Sequence, residues 1–132
     1  MKYLLDTNAI ITLLNDAQSS LALRVRTHKP ADICISSIVA HELFYGAFKS
    51  LRTERNVALV DSLQFETLDF DKEDARHAGQ IRAHLAQQGT PIGAYDVLIA
   101  GQAKARHLTL ITDNTDEFKR VDGLNIENWR NR

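Results

Sequence analysis

Short apolar runs alternate with longer segments of helical pattern along this chain. Four of these runs have the length of a buried strand, and they cover residues 3–5, 33–35, 65–68 and 108–112. Parallel strands need a crossover between them, usually a helix, so this alternation indicates a parallel sheet covered on both faces. The sequence therefore predicts an α/β fold, namely a three-layer α/β/α sandwich with a mainly parallel sheet.

Capping residues mark the helices between the runs. Asp6 and Ser36 follow the first two strands and favour helix starts, whereas Gly89 and Pro91 end a long amphipathic helix that begins near Asp71. A short edge strand is expected at Ile126, with Trp129 packing the end of the chain. Helices are predicted over residues 9–14, 20–28, 37–48, 52–63, 71–88 and 94–107.

Length, charge and cysteine content exclude several classes of protein. The 132 residues are one domain's length, and we expect a single domain over 1–132. Sixteen Lys and Arg against 17 Asp and Glu give a net charge of -1, which excludes nucleic-acid binding through bulk positive charge. No run is long enough to cross a membrane, and the single cysteine, Cys34, cannot form an intramolecular disulfide. We therefore expect a cytoplasmic protein in which Cys34 is a core residue.

Several acidic residues stand at one of two kinds of position. They follow strands, where α/β proteins bind their ligands, or they lie in apolar stretches, where burying a carboxylate is unfavourable. Some follow the first and fourth strands, at the sheet edge where such folds place their sites. Others lie within apolar helical stretches, where a carboxylate is unfavourable unless it is paired or binds a metal. The candidate site residues are Asp6, Glu42, Asp96, Asp113, Asn114 and Asp116.

A cluster of such acids would need a cation. Two carboxylates about 4 Å apart repel by about 4 kcal/mol at an effective dielectric of about 20. No Lys or Arg lies in the local stretches around Glu42 and Asp96. All-oxygen ligation suits Mg²⁺ or Mn²⁺, and the histidines and Cys34 lack zinc-ligand spacing. An acidic metal site without a nucleophilic side chain suggests metal-assisted hydrolysis of a phosphodiester.

Structural roles are the alternative for each acid taken alone. Asp6 is well placed to cap the first helix, and Asp96 in a first helical turn is favoured by the helix dipole. Glu42 would equally suit the solvent edge of its helix. The acids and Asn114 after the fourth strand are typical turn and cap residues. Their coincidence at strand ends and in apolar contexts favours a shared site.

Four ordered motifs carry a resemblance that runs almost from end to end. Asp6-Thr7-Asn8 opens the chain, and Ser36-Ser37 leads to His41-Glu42-Leu43. Gly93-Ala94-Tyr95-Asp96 comes third, and Thr112-Asp113-Asn114-Thr115-Asp116 comes fourth. In these motifs the sequence resembles the PIN-domain family, specifically its VapC-type toxin ribonucleases of bacterial toxin–antitoxin pairs. Ala94 departs from the pattern, since close relatives often carry Pro there.

The resemblance implies a set of roles for these residues. Asp6, Glu42 and Asp96 would form the main acidic triad and hold Mg²⁺ or Mn²⁺, with Asp6 and Asp96 as direct ligands. Asn114 would complete the catalytic set, while Asp113 and Asp116 remain alternatives for that fourth position. The implied activity is endonucleolytic cleavage of RNA, with tRNA the expected substrate, by a metal-activated water that leaves a 5′-phosphate.

The resemblance also implies partners. A homodimer is expected, held inactive by a VapB-type antitoxin whose C-terminal segment covers the cleft, and operator DNA is contacted only through that antitoxin. Phe44, Tyr45, Phe48 and Leu51 supply apolar bulk near Glu42 that suits such a contact, although Phe44 and Tyr45 could equally close the core.

Three other functions are alternatives for a chain of this size and pattern. A receiver-type signalling domain requires an acidic pair after its first strand and a Lys after its last core strand, but Asp6 stands alone and Asp113 follows Thr112. A haloacid dehalogenase-type phosphatase requires Asp-x-Asp, but Asn8 takes the second position. A catalytically silent RNA-binding or assembly module with the same fold remains open, although the intact acids favour an enzyme.

Overall fold

Within residues 1–130, five strands form one sheet whose neighbouring strands are all parallel. A computed structural model describes residues 1–130, so the predicted domain of 1–132 extends two residues beyond the described part. The strand order is β3-β2-β1-β4-β5. The strands are β1 (Tyr3–Leu5), β2 (Ile33–Ser36), β3 (Glu66–Leu68), β4 (Thr109–Ile111) and β5 (Ile126–Glu127).

Seven α-helices connect these strands within the described residues. They are α1 (Thr7–Asn15), α2 (Ser20–Val25), α3 (Ser37–Phe48), α4 (Thr53–Asp61), α5 (Lys72–Gln87), α6 (Ala94–Ala105) and α7 (Thr115–Phe118). Because parallel crossovers are right-handed, α1–α4 cover one face of the sheet and α5–α7 the other. The predicted α/β/α sandwich is confirmed. None of the helices in residues 1–130 is long and apolar enough to cross a membrane.

Three predicted helix caps are confirmed in atomic detail, although α1 begins at Thr7, two residues before its predicted start. The Asp6 side chain accepts from the Ala9 amide, and Ser36 Oγ accepts from the Ile38 amide. Asp71 caps α5 in a reciprocal capping box with Asp74. Local sequence therefore sets where the chain leaves each strand.

Three helices end two or more residues before their predicted limits, and one of them, predicted over 52–63, ends at Asp61. The helix predicted over 20–28 ends at Val25, because the Thr27 hydroxyl donates to the Arg24 carbonyl and Lys29, which precedes Pro30, is extended. The helix predicted over 94–107 ends at Ala105. His107 has a left-handed backbone with φ of 56°, which closes the helix end as a C-cap turn.

The core lies on both faces of the central strands. Leu4 and Leu5 of β1 and Leu110 and Ile111 of β4 are fully buried. Cys34 is buried as predicted, and burial raises the pKa of its thiol to about 11, which leaves it inert at neutral pH.

Helices α5 and α6 approach each other closely at Gly101. A Cβ placed there would lie 2.6 Å from the backbone of Ala78, so α6 can sit against α5 only with glycine at this position. Asp74 of α5 is fully buried and accepts hydrogen bonds from Gln102 of α6 and from Arg106, which directly follows α6. These contacts fix α6, whose first turn carries Asp96.

The topology places a cleft at one edge of the sheet. Strands β1 and β4 are neighbours, yet the chain leaves them toward opposite sides of the sheet. Ligands of open parallel sheets bind at such a reversal, beyond the carboxyl ends of the strands. Asp6 follows β1 and Asp113 follows β4, so both candidate residues lie at this point.

Candidate active site

Asp6 stands at the centre of the cleft, between β1 and α1. It is only 6% exposed, and its Oδ1 accepts from the Ala9 amide at 2.8 Å. Burial raises the pKa of Asp6 to about 6; hydrogen bonds from Thr112 and Ala9 oppose this rise, and the charges of Asp113 and Glu42 add to it. The capping role weighed from sequence is thus confirmed, but burial among other acids goes beyond what a cap requires.

Glu42 reaches the cleft from α3 and is held by α1. The Thr7 hydroxyl donates to Glu42 Oε1 at 2.9 Å, and both residues are half-buried. Because Thr7 directly follows Asp6, this hydrogen bond links Glu42 to the turn that carries Asp6. Glu42 therefore points into the structure and does not lie on a free solvent edge.

Asp96 lies in the first turn of α6 and faces Glu117 of α7. Burial, a hydrogen bond with Glu117 and the nearby charges of Glu117, Asp6 and Glu42 raise the pKa of Asp96 well above its usual range. The hydrogen bond with Asp96 contributes most to the lowered pKa of Glu117. These opposite shifts make Asp96 the more weakly acidic carboxyl of the two.

Backbone and side-chain donors hold Glu117 in place. The Gly93 amide donates to Glu117 Oε1 at 3.0 Å, and Asn114 Nδ2 donates to Glu117 Oε2. The Asn114 amide in turn donates to Thr112 Oγ1 at 3.0 Å. A Cβ on Gly93 would lie 3.1 Å from Asp96 Oδ2, so glycine leaves room for the carboxylate pair. Asn114 thus contributes to the cluster by holding the Glu117 carboxylate in place.

The two remaining candidates lie at different distances from the cluster. Asp113 is close enough to Asp6 to raise its pKa, but its carboxylate is ion-paired with Arg130. The Asp116 side chain is 89% exposed and pairs with Lys119 at 3.3 Å. No hydrogen bond or ion pair within residues 1–130 joins Asp116 to Asp6, Glu42 or Asp96.

Glu117 is the site residue that the sequence reasoning did not select. It follows the highlighted Asp116 directly and lies three residues after Asn114, one helical turn along α7. That spacing was the available signal, because it puts Asn114 and Glu117 on one face. The short helix α7 was itself not predicted.

The donor chemistry of the cluster fits a hard divalent cation. Asp6, Glu42, Asp96 and Glu117 bring carboxylate oxygens together, and no ion pair of residues 1–130 supplies a Lys or Arg to any of them. Within that range no three carboxylate, imidazole or thiolate groups are arranged to ligate one ion together. A bound cation would favour the ionised forms of Asp6 and Asp96, whose pKa values are raised first by burial and then by the neighbouring acids.

Fold and cleft together define the class to which this protein belongs. A parallel sheet in the order β3-β2-β1-β4-β5 carries acids at its strand reversal, and the PIN domain family model matches residues 3–124. The chain belongs to the PIN domain family, in agreement with the resemblance of its four motifs.

Known VapC proteins are similar to this chain over nearly its whole length. The tRNA(fMet)-specific endonuclease VapC of Salmonella typhimurium is 45% identical over 131 residues, which are 98% of each chain. Ribonuclease VapC2 of Haemophilus influenzae is 38% identical with the same coverage. The predicted similarity to VapC-type ribonucleases is therefore confirmed.

Solved structures agree with the sequence comparison. The DNA-bound VapBC structure from Salmonella typhimurium contains a chain that superimposes with a TM-score of 0.93 at 45% identity, covering 98% of both chains. VapBC2 from Rickettsia felis, bound to a DNA fragment from its promoter, gives a TM-score of 0.89 at 38% identity. That comparison covers 98% of this chain and 99% of the other.

Proposed function

We propose that this chain is a metal-dependent endoribonuclease, with tRNA as its expected substrate, and that it acts as the translation-inhibiting toxin of a toxin–antitoxin pair. The observation that carries this proposal is the cluster of carboxylates at the strand reversal, gathered without a cationic partner in the described residues. The relatives named as VapC endonucleases and ribonucleases support the same activity.

The proposed metal ligands are Asp6, Asp96 and Glu42, with Mg²⁺ or Mn²⁺ as the ion. When bound, such an ion lowers the pKa of a coordinated water and screens the charge of a phosphodiester. Glu117 hydrogen-bonds with Asp96 and so holds that carboxyl in position. Asp113 and Asp116 remain the alternatives for a further ligand.

The surrounding side chains hold this cluster in position. Thr7 orients Glu42, and Asn114 orients Glu117 through hydrogen bonds described above. Thr112 holds the turn after β4 and hydrogen-bonds with Asp6. The single thiol, Cys34, is buried in the sheet and is therefore not the nucleophile. The proposed nucleophile of the hydrolysis is water.

A VapB-type antitoxin whose C-terminal segment covers the cleft would also contact an apolar surface next to it. Helices α3 and α4 line a groove that begins at His41, the residue before Glu42. The side chains of Tyr45, Phe48 and Leu51 are exposed rather than closing the core. An antitoxin segment of the VapB type suits this apolar surface, as exposed apolar patches mark protein contacts. The groove is lined by His41, Phe44, Tyr45, Phe48, Val57 and Asp61.

The solved relatives are VapBC complexes, two of them bound to DNA, which supports operator binding through the antitoxin. We further propose a homodimer, a single domain over 1–132 and a cytoplasmic location.

The test is cleavage of total bacterial RNA by the purified chain, with Mn²⁺ or Mg²⁺ and with EDTA. Asp6→Asn and Asp96→Asn remove one carboxylate each, whereas Asp122→Asn is a matched control, because the Asp122 side chain is 88% exposed and pairs with His84 of α5. A discrete fragment that needs metal, vanishes in the first two variants and persists in the control is the expected result. Equal cleavage by all variants would overturn the assignment.

A catalytically silent RNA-binding module is the second candidate. It predicts that the chain binds RNA without producing fragments at any metal concentration. The intact set of Asp6, Glu42 and Asp96 favours the enzyme, because buried acids without a chemical role are costly.

A further inference from the structure

The C-terminal segment, residues 126–130, is fixed to the body of the protein by several independent contacts. Its first two residues form β5 beside β4. Trp129 is 3% exposed, stacks on His28 at 5.0 Å between ring centroids and meets Tyr3 edge-on at 4.9 Å. The Arg24 guanidinium lies 5.0 Å from the centroid of the Trp129 ring. These contacts fix the position of Arg130.

Arg130 is itself anchored through its backbone. Its amide donates to Asn128 Oδ1 at 2.9 Å, and its carbonyl accepts from Ser20 Oγ at 2.7 Å. Its guanidinium extends to the turn after β4, where Nη1 donates to Asp113 Oδ2. Because Asp113 follows β4 beside Asp6, this guanidinium stands at the rim of the acidic cleft.

The ion pair with Asp113 occupies one of the three nitrogens of the Arg130 guanidinium. Only Nη1 contacts Asp113, and neither Nη2 nor Nε has a hydrogen-bond partner among residues 1–130. The Arg130 side chain is 46% exposed, so these donors face solvent. A pair this exposed contributes little stability by itself. A planar fork held by a carboxylate on one edge is well suited to bind a phosphate on the other.

The positive charge of Arg130 is suited to hold RNA at the acidic cleft. An acidic cleft repels RNA, so a nuclease that uses it needs cationic groups at its rim to hold the phosphate backbone. Among the ion pairs of residues 1–130, Arg130 is the cation that pairs with an acid of the candidate set at the cleft; the pair of Lys119 with Asp116 lies on the exposed face of α7.

We propose that Arg130 is a substrate-binding residue that contacts a backbone phosphate of the RNA beside the cleaved bond, with Asp113 orienting its guanidinium. This inference rests on the proposed ribonuclease function. It assigns Arg130 to binding and leaves the chemical step to the carboxylate cluster.

The test measures RNA affinity in the Asp96→Asn background as a function of salt concentration. Arg130→Met should weaken RNA binding about tenfold, the effect of losing one charge-assisted contact. It should also reduce the slope of log affinity against log salt by about 0.7 to 0.9, the effect of one phosphate contact. Arg130→Lys should keep the slope. Arg76→Met is the matched control, because Arg76 pairs with Glu73 on the exposed face of α5, and it should change neither quantity.

Kinetics of the otherwise wild-type chain complete the test. Arg130→Met should raise KM for RNA about tenfold and keep kcat within about threefold, because only binding is lost. If Arg130→Met matches Arg76→Met in affinity and slope while the wild-type chain cleaves RNA, this inference is wrong and the proposed function stands. If the wild-type chain cleaves no RNA with metal present, the proposed function itself fails. A normal circular dichroism spectrum and melting temperature of Arg130→Met and Arg130→Lys show that folding does not cause the difference.

Discussion

Replacement of Asp6 with Asn should stabilise the metal-free protein. The Asp6 carboxylate is buried beside other acids, and its pKa is raised from 3.8 to about 6. Asn keeps the shape, its oxygen can still accept from the Ala9 amide, and its NH₂ can donate to Thr112 Oγ1. The substitution therefore removes the charge and retains the hydrogen bonds.

The size of the effect follows from that pKa. A difference of about two pH units between the folded and ordinary values corresponds to about 3 kcal/mol, at about 1.4 kcal/mol per unit. The penalty is absent below pH 3.8, grows as the pH rises toward about 6, and is complete above it, because the folded state holds the proton longer than the unfolded state. Asp6→Asn should therefore raise the free energy of unfolding at pH 8 by about 1–3 kcal/mol, with roughly a 5 °C gain in Tm.

Urea unfolding in EDTA at pH 4 and pH 8 measures this directly. The gain should be large at pH 8 and small at pH 4. Asp116→Asn, at an exposed acid, serves as the control and should change stability by less than about 0.5 kcal/mol at either pH. Addition of Mn²⁺ should stabilise the wild type more than Asp6→Asn. A loss of stability in Asp6→Asn at pH 8 would refute the reasoning that the buried charge is unfavourable without a cation.

Further predictions concern the packing of α5 on α6. Gly101→Ala should destabilise the fold by about 1–3 kcal/mol, because its Cβ would meet Ala78 at 2.6 Å, whereas Gly79→Ala in α5 has open space and should stabilise by about 0.5–1 kcal/mol. Thermal melts of both variants decide this, and equal melting temperatures would contradict it. Arg106→Met should cost about 3 kcal/mol at pH 7 by stranding the buried Asp74 carboxylate. Burial opposes ionisation of Asp74, but hydrogen bonds from Arg106, the Asp71 amide and Gln102 hold its pKa below the usual range, so the cost in urea unfolding should shrink as the pH falls below 4. A cost that does not change with pH would count against this pairing.

Sequence patterns predicted the features that depend on neighbouring residues. Caps such as Asp6 and Ser36 act within three residues, so strand ends and helix starts were predictable. The fold class followed from the alternation of strands and helices. The acids Asp6, Glu42 and Asp96 were selected because each is unusual in its local context.

Features that join distant segments were not predictable in the same way. Glu117 lies 21 positions after Asp96 along the chain, and only the path of α7 brings the two carboxylates together. The pairing of Asp113 with Arg130 depends on β5 and on the burial of Trp129. Among three polar candidates in one turn, side-chain direction decides which faces the cleft, and sequence spacing in so short a helix does not determine it.

The chemical ends of the cleaved RNA test the central claim most directly. Water activated at the carboxylate cluster should attack phosphorus and leave a 5′-phosphate and a 3′-hydroxyl. Ligation-based sequencing of fragments made by the wild-type chain in Mn²⁺, with and without prior phosphatase treatment, reads those ends. Fragments with 5′-phosphate that disappear in EDTA and in Asp96→Asn are the predicted result. Fragments with 2′,3′-cyclic phosphate that form in EDTA would contradict the account, because the RNA's own 2′-hydroxyl would then be the nucleophile.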